Sequence, residues 1–193
     1  MNTKFLVAGA MALIVPSTLC LTGCSFGLIN TVSYQYENAD KYTAGDREID
    51  DTITKINIDY LAGDVKVRGT DTDIIKVDES ANTDIDACHQ VHTWVDDDTL
   101  YVRYCVSTKS INFSKIEKRL EITIPEAQEL DDFVIEVSSG NIDLDDFTTD
   151  NLYSHAPSGN MNIDCSATDI EVKSSSGNVD LIQNGNSNSV KVK

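Results

Sequence analysis

The sequence predicts an all-β fold, a β-solenoid of short stacked coils. Three observations carry that prediction. Ser-Gly-Asn occurs three times, with glycines at Gly140, Gly159 and Gly177, so the spacings are 19 and 18 residues. Apolar and polar residues alternate after each glycine, as in Ile142-Asp143-Leu144, Met161-Asn162-Ile163 and Val179-Asp180-Leu181. No stretch carries a convincing helical stripe; Phe113 to Leu120 comes nearest. Fixed-period self-similarity marks a repeat architecture, and period-two alternation makes its units strands.

Taken in order, residues 1–23 read as a lipoprotein signal peptide. Lys4 precedes an apolar run from Phe5 to Val15, and Leu21-Thr22-Gly23-Cys24 follows. A basic start, an apolar middle and a small residue before the cut define a secretory signal. The Leu-x-Gly-Cys ending resembles a bacterial lipobox, which makes Cys24 the lipidated first residue of the mature chain. The run is short for a membrane span of about 20 residues, and Pro16 interrupts it. Residues 24–54 are polar and turn-rich and read as a tether or spacer. The full chain carries a formal charge of -17. Anionic headgroups repel such a body, so it is expected to stand off the bilayer.

Residues 55–193 form the predicted domain. Ile56, Ile58 and Tyr60 alternate, and Val65 and Val67 follow Ala62-Gly63-Asp64, making a degenerate unit. Ile75 and Val77 are placed to begin its second strand. Cys88 to Val95 and Leu100 to Val106 flank Asp96-Asp97-Asp98-Thr99 and read as an inserted hairpin. Pairing Val95 with Leu100 puts Val91, Val95, Leu100, Val102, Tyr104 and Val106 on one face. Ser107 to Lys118 reads as a polar loop, and Leu120 to Ile124 as a strand ended by Pro125.

Stacking the repeats gives coherent columns. Phe133, Leu152 and Ile170 face inward, as do Ile142, Met161 and Val179. Outward, the amide of Asn162 separates Asp143 from Asp180, which avoids adjacent like charges. Parallel crossovers are right-handed in most folds, so a right-handed β-helix is expected. Val190 and Val192 continue the inward phase, and Lys191 falls opposite Glu171.

Candidate chemistry is sparse. The acidic balance argues against nucleic acid as a partner, since phosphate binding needs a basic surface. No nucleophile motif, phosphate loop or dinucleotide fingerprint is present, so neither an enzyme nor a cofactor is expected. Cys88-His89-x-x-His92 carries metal-ligating types, but on a strand Cys88 and His92 lie about 13 Å apart, with His89 on the other face. No metal site is expected. Cys88 and Cys105 share a hairpin face, and an exported protein can oxidise them to a disulfide. A bulge or register shift is needed to bring the two Cβ atoms together. Trp94 faces Tyr101 across the hairpin. The pair is either an aromatic patch for a sugar or protein partner, or a cross-strand pair covered by the Ser107 to Lys118 loop.

The ordered series Ile56-Asn57-Ile58, Gly63-Asp64-Val65, Thr99-Leu100-Tyr101-Val102, Ile122-Thr123-Ile124-Pro125 and three Ser-Gly-Asn corners resembles the bacterial putative-adhesin family. That family is a β-strand-repeat domain of unknown function. The resemblance implies a β-solenoid and a place in the cell envelope, and supplies no catalytic residues. The expectation is a non-enzymatic lipoprotein, membrane-anchored through lipid, that binds an envelope protein or glycan. The alternatives are a structural or envelope-stress protein acting by self-association and, third, a carbohydrate-active enzyme.

Overall fold

The computed structural model describes residues 31–112 and 116–193, so the signal peptide and Cys24 lie outside the described residues. In chain order the strands are β1 (Thr31–Tyr34), β2 (Thr43–Ala44), β3 (Arg47–Ile49), β4 (Lys55–Ala62), β5 (Asp64–Thr70), β6 (Ile75–Ala81), β7 (His92–Asp96) and β8 (Thr99–Arg103). They continue as β9 (Thr108–Asn112), β10 (Lys118–Pro125), β11 (Glu129–Ser139), β12 (Ile142–Ser158), β13 (Met161–Ser176), β14 (Val179–Gln183) and β15 (Ser189–Val192). Among the described residues β1 and β9 stand apart as a two-stranded sheet, and the other thirteen strands form one strongly curled open sheet. Among the described residues no helix is long and apolar enough to cross a membrane.

Two sets of parallel strands stack in register. Leu100, Ile56, Phe133, Leu152, Ile170 and Val190 make one column, one residue from each of β8, β4, β11, β12, β13 and β15. Leu120, Val65, Ile142, Met161 and Val179 make a second, from β10, β5, β12, β13 and β14. The columns expected within the repeats are the observed ones. Their members as far as Ile170 and Met161 are at most 2% exposed, and each such burial contributes about 1.5–3 kcal/mol. The long strands β12 and β13 serve both sets by bending where their pairing shifts between Asp145 and Thr148.

The corner glycines are fixed by closeness as well as by dihedral. Gly140, Gly159 and Gly177 have φ of 152°, 135° and 134°. A Cβ on Gly159 would fall 1.9 Å from the Gly140 carbonyl oxygen, and one on Gly140 equally close to that of Gly63. The following asparagines form a ladder. Asn160 N donates to Asn141 Oδ1 at 3.0 Å, and Asn178 N to Asn160 Oδ1 at 3.0 Å. Asn141 Nδ2 donates to Asp64 Oδ1 at 2.8 Å, so Gly63-Asp64 is the first rung. Ser-Gly-Asn thus encodes a close-packed corner with its own hydrogen-bond partner on the next coil.

Several sequence expectations need correction. Residues 31–54 are not wholly a spacer. β1 pairs with β9, β2 with β7 and β3 with β6, and Tyr34, Ile49 and Ile53 enter the core. The Tyr34 hydroxyl donates to Asp59 O at 2.6 Å and accepts from Tyr104 N at 3.1 Å, so a buried phenol finds both its partners. β6 does not stack as a parallel coil; it runs antiparallel to β10 and β3. The hairpin β7–β8 is not set apart from the coils either, because β8 pairs parallel with β4 and extends the first column. Part of Ser107 to Lys118 is the strand β9, and Lys118 begins β10 with its side chain fully buried.

Candidate functional site

The hairpin register puts Trp94 opposite Tyr101, as the alternation predicts. Their rings stack with centroids 5.4 Å apart and planes at 21°. The cover over this pair comes from the segment read as spacer. Tyr42 lies 5.6 Å from Trp94, and Tyr36 lies 4.7 Å from Tyr42. The Arg103 guanidinium sits 5.4 Å from the Tyr101 ring centre and 5.9 Å from those of Tyr36 and Tyr42. Arg103 Nη1 also donates to Asn57 O at 3.0 Å and Val102 O at 2.9 Å, which fixes the cation among the rings. Burial raises the Tyr36 and Tyr42 phenols above their ordinary value, so both stay neutral. The four half-buried rings and one cation form a pre-ordered amphipathic patch. Such groups present apolar area at little entropic cost and keep polar tips for a partner.

Tyr36 and Tyr42 were not identified from sequence, because a polar, turn-rich segment gives no periodic signal. Their order comes from partners distant in sequence. Tyr36 OH donates to Cys105 O at 2.8 Å, its backbone N donates to Ser107 Oγ, and β2 seats Thr43 against Thr93.

Cys88 and Cys105, the candidate disulfide, are not joined in this structure, where both thiols are free. β7 begins at His92, so Cys88 is not on the strand. It lies in a turn in which His89 N and Gln90 N both donate to Asp86 O. Its thiol faces Asp86 Oδ1 at 3.1 Å, whereas Cys105 is buried after β8 with its thiol toward Val106 O. Burial pushes the Cys105 thiol up to about 12. His92 also stays away from Cys88, its ring bound to Gln90 O.

Below that turn lies a buried ion pair. Lys118 Nζ meets Glu79 Oε1 at 2.7 Å and donates to His89 O at 2.6 Å and Tyr104 O at 2.5 Å. Glu79 also accepts from Tyr60 OH and from Val91 N. The pair uses every proton of the ammonium, so it is placed to hold structure rather than to transfer a proton.

Around the coils, an open cleft of about 360 Å³ runs along one corner past Asp131, Asp150, Thr168 and Asn186. It is polar and broad, without the apolar lining typical of a small-molecule site.

No curated protein matches this sequence. Several solved structures are similar in part, three of them as follows. A putative cell adhesion protein from Clostridium sporogenes shares 8% identity over 78% of this chain and 99% of its own, with a TM-score of 0.45. A putative adhesin from Bacteroides fragilis shares 19% over 76% of this chain and 74% of its own, with a TM-score of 0.38. A putative adhesin from Parabacteroides merdae shares 14% over 79% and 96%, with a TM-score of 0.28. The stacked Gly-Asn corners and the paired strand columns fall within residues 53–193, which match the model of the Toastrack DUF4097 family, and the chain belongs to that family.

Proposed function

We propose that this protein is a non-enzymatic, lipid-tethered adhesin-like module of the bacterial envelope, whose coils wind as a right-handed β-solenoid. Its partner is an envelope protein or a glycan. The observation that carries the reading is the continuous outer row Lys66, Asp143, Asn162 and Asp180, one residue per coil. Lys66 Nζ pairs with Asp143 Oδ2 at 2.9 Å, and Asn162 Nδ2 donates to Asp143 Oδ1 at 3.0 Å. In-register stacking repeats such polar rows over several coils, and extended repeat surfaces suit large partners better than small substrates. Family membership and the envelope resemblance of the repeats support the same setting.

The lipobox supports tethering at Cys24. Only six residues, hence seven Cα-to-Cα steps, separate Cys24 from β1 at Thr31. A chain of that length reaches at most about 25 Å. The body is therefore held close to the bilayer, not on the long spacer that residues 24–54 suggested.

The test compares cells making the full chain with cells making Cys24→Ala and with a deletion strain. The expected result is membrane sedimentation and attachment to glycan- or protein-coated surfaces by the wild type, both lost in the variant. Attachment unchanged in the deletion strain would overturn the adhesin reading, and continued sedimentation of the variant would overturn the tether.

A second reading, self-association, is favoured by Ile182, Val190 and Val192, which are 48%, 47% and 54% exposed on β14 and β15. An unpaired apolar edge templates pairing with another strand. Light scattering across a concentration series tests it. Association should weaken in Val192→Pro, which removes a backbone donor; a monomeric wild type refutes it.

A further inference from the structure

The turn preceding β7 gathers three different metal-ligating groups that neither the fold nor the proposed adhesin surface uses. Asp86, Cys88 and His89 bring one carboxylate oxygen, one thiol and one ring nitrogen within 4.8 Å of one another. Cys88 Sγ lies 3.1 Å from Asp86 Oδ1 and 3.3 Å from His89 Nδ1, and Asp86 Oδ1 is hydrogen-bonded to His89 Nδ1. The three atoms thus form a small triangle. We infer that Asp86, Cys88 and His89 form a three-donor site for a borderline divalent transition metal, Zn²⁺ in the first instance.

The backbone fixes all three ligand residues. Asp86 O accepts from His89 N at 2.9 Å and Gln90 N at 3.2 Å. Cys88 O accepts from Val106 N at 3.1 Å, and His89 O from Lys118 Nζ at 2.6 Å. Lys118 is itself anchored by Glu79. The buried ion pair is therefore the strut under the turn. A donor set held in place before binding loses less entropy on binding.

The donor types select the metal. Thiolate, imidazole and carboxylate together suit Zn²⁺, whose open sites keep three protein ligands and a fourth position for water or another ligand. The fourth position here faces solvent, since Cys88 and Asp86 are exposed. The proton balance is simple. The thiol proton, now directed at Asp86, leaves to solvent when sulfur binds the ion. An imidazole that starts neutral keeps its one proton, carried on Nε2 once Nδ1 binds the ion, and releases none. One proton is released per ion bound, and no redox step is involved. Read on a strand, the motif Cys88-His89-x-x-His92 gave no metal site. The turn replaces His92 with Asp86, because tight i to i+3 closure, not strand extension, sets the geometry.

The test uses the full chain in detergent, under a phosphine reductant, with Cys20→Ser and Cys24→Ser removing the thiols outside the described residues. Co²⁺ is the probe, because a thiolate ligand gives it a near-ultraviolet charge-transfer band. The expected result is a band saturating at one ion per chain and abolished by Zn²⁺. Cys88→Ser should lose the band. Asp86→Asn and His89→Gln should each weaken binding at least about tenfold, the smallest loss seen even for residues that only orient a ligand. His92→Gln should leave it unchanged. These three ligand residues sit in a surface turn, and near-ultraviolet dichroism of the Trp94–Tyr101 stack checks that each variant folds. No band in the wild type, or a band that survives Cys88→Ser, overturns the site. Native mass spectrometry with Zn²⁺ gives a second reading: a one-ion adduct absent from Cys88→Ser supports the proposal, and an adduct equal in both refutes it.

Discussion

Lys118 Nζ lies 2.7 Å from Glu79 Oε1 with side-chain exposures of 0% and 3%, so the pair is a cation and an anion inside an apolar layer. Burial pulls the lysine below its ordinary value, while Glu79 favours its charged form. The Tyr104 ring lies 4.0 Å from the ammonium. Removing one partner of a buried pair costs about 3–5 kcal/mol, because the other charge stays behind. Lys118→Met and Glu79→Gln should therefore each destabilise strongly in urea, and the double variant should lose clearly less than the sum. A coupling near zero in that cycle would show that the two residues are held independently.

The corner ladder predicts a difference between two glycines of similar dihedral. Gly159 has φ 135° and its added Cβ would meet Gly140 O at 1.9 Å. Gly185 has φ 124°, but its added Cβ would meet nothing nearer than Ser166 Oγ at 3.8 Å. Gly185→Ala should cost about 1 kcal/mol, the dihedral penalty alone. Gly159→Ala should cost about 3 kcal/mol or more, since two coils must separate. Equal shifts in the denaturation midpoint would mean that contact between coils adds nothing.

The inward and outward phases are tested by adjacent residues on β13. Ile163 is 0% exposed between Leu144 and Leu181. Ile163→Asp buries an unpaired charge and should cost about 4 kcal/mol or unfold the chain. Asn162→Asp loses the bond to Asp143 and lines up carboxylates along the row, at about 1 kcal/mol. Equal melting losses would contradict the assigned faces.

Acid should remove one specific contribution. Glu171 accepts from Lys173 Nζ at 2.9 Å and Lys193 Nζ at 3.0 Å, which lower its carboxyl from 4.5 to about 2. A carboxyl depressed by folding stabilises above its unfolded value, and that contribution fades as pH falls toward the folded one. The stability difference between wild type and Glu171→Gln should shrink between pH 4.5 and 2. Carboxyl NMR should place the Glu171 midpoint near 2 and move it upward in Lys193→Ala. A midpoint at the ordinary value would remove the contact from solution. The register opposite Glu171 is Lys191, as the alternation predicts, but the ion pair comes from Lys193.

Much of the coil was legible because a two-residue period and a fixed corner leave one consistent register. Phe133, Leu152 and Ile170 could be aligned from the sequence alone. The end of the fold near β6 to β10 was harder, because β6 with β10 and β7 with β8 pair antiparallel and leave no repeat. Yet a signal was present there. Glu79 follows Ile75 and Val77 in phase, and Lys118 precedes Leu120 and Ile122 in phase. Two opposite charges on inward positions were the mark of the buried pair. The ligand turn was illegible for another reason: Cys88 was assigned to a strand, and a turn only four residues long reverses which side chains meet. Tyr36 and Tyr42 join Trp94 through contacts distant in sequence, which no local pattern encodes.

The last prediction concerns the thiols. Cys105 and Cys165 are 0% and 1% exposed, and burial pushes both up to about 12. Thiolate is the reacting form, so neither should alkylate until the fold opens. Opening of a core site is limited by stability, which puts their labelling at least about a thousandfold behind an open thiol. Cys88 is exposed and should label in the native state, more slowly than an unperturbed thiol, because its proton is held by Asp86. Asp86→Asn removes that anion and should speed Cys88 labelling at neutral pH. Peptide mapping after native alkylation distinguishes the cases. Modified Cys88 with unmodified Cys105 and Cys165 fits the structure. A linked Cys88–Cys105 peptide would mean that the chain preceding His92 extends as a strand in solution, and with that the turn carrying Asp86, Cys88 and His89 would be lost.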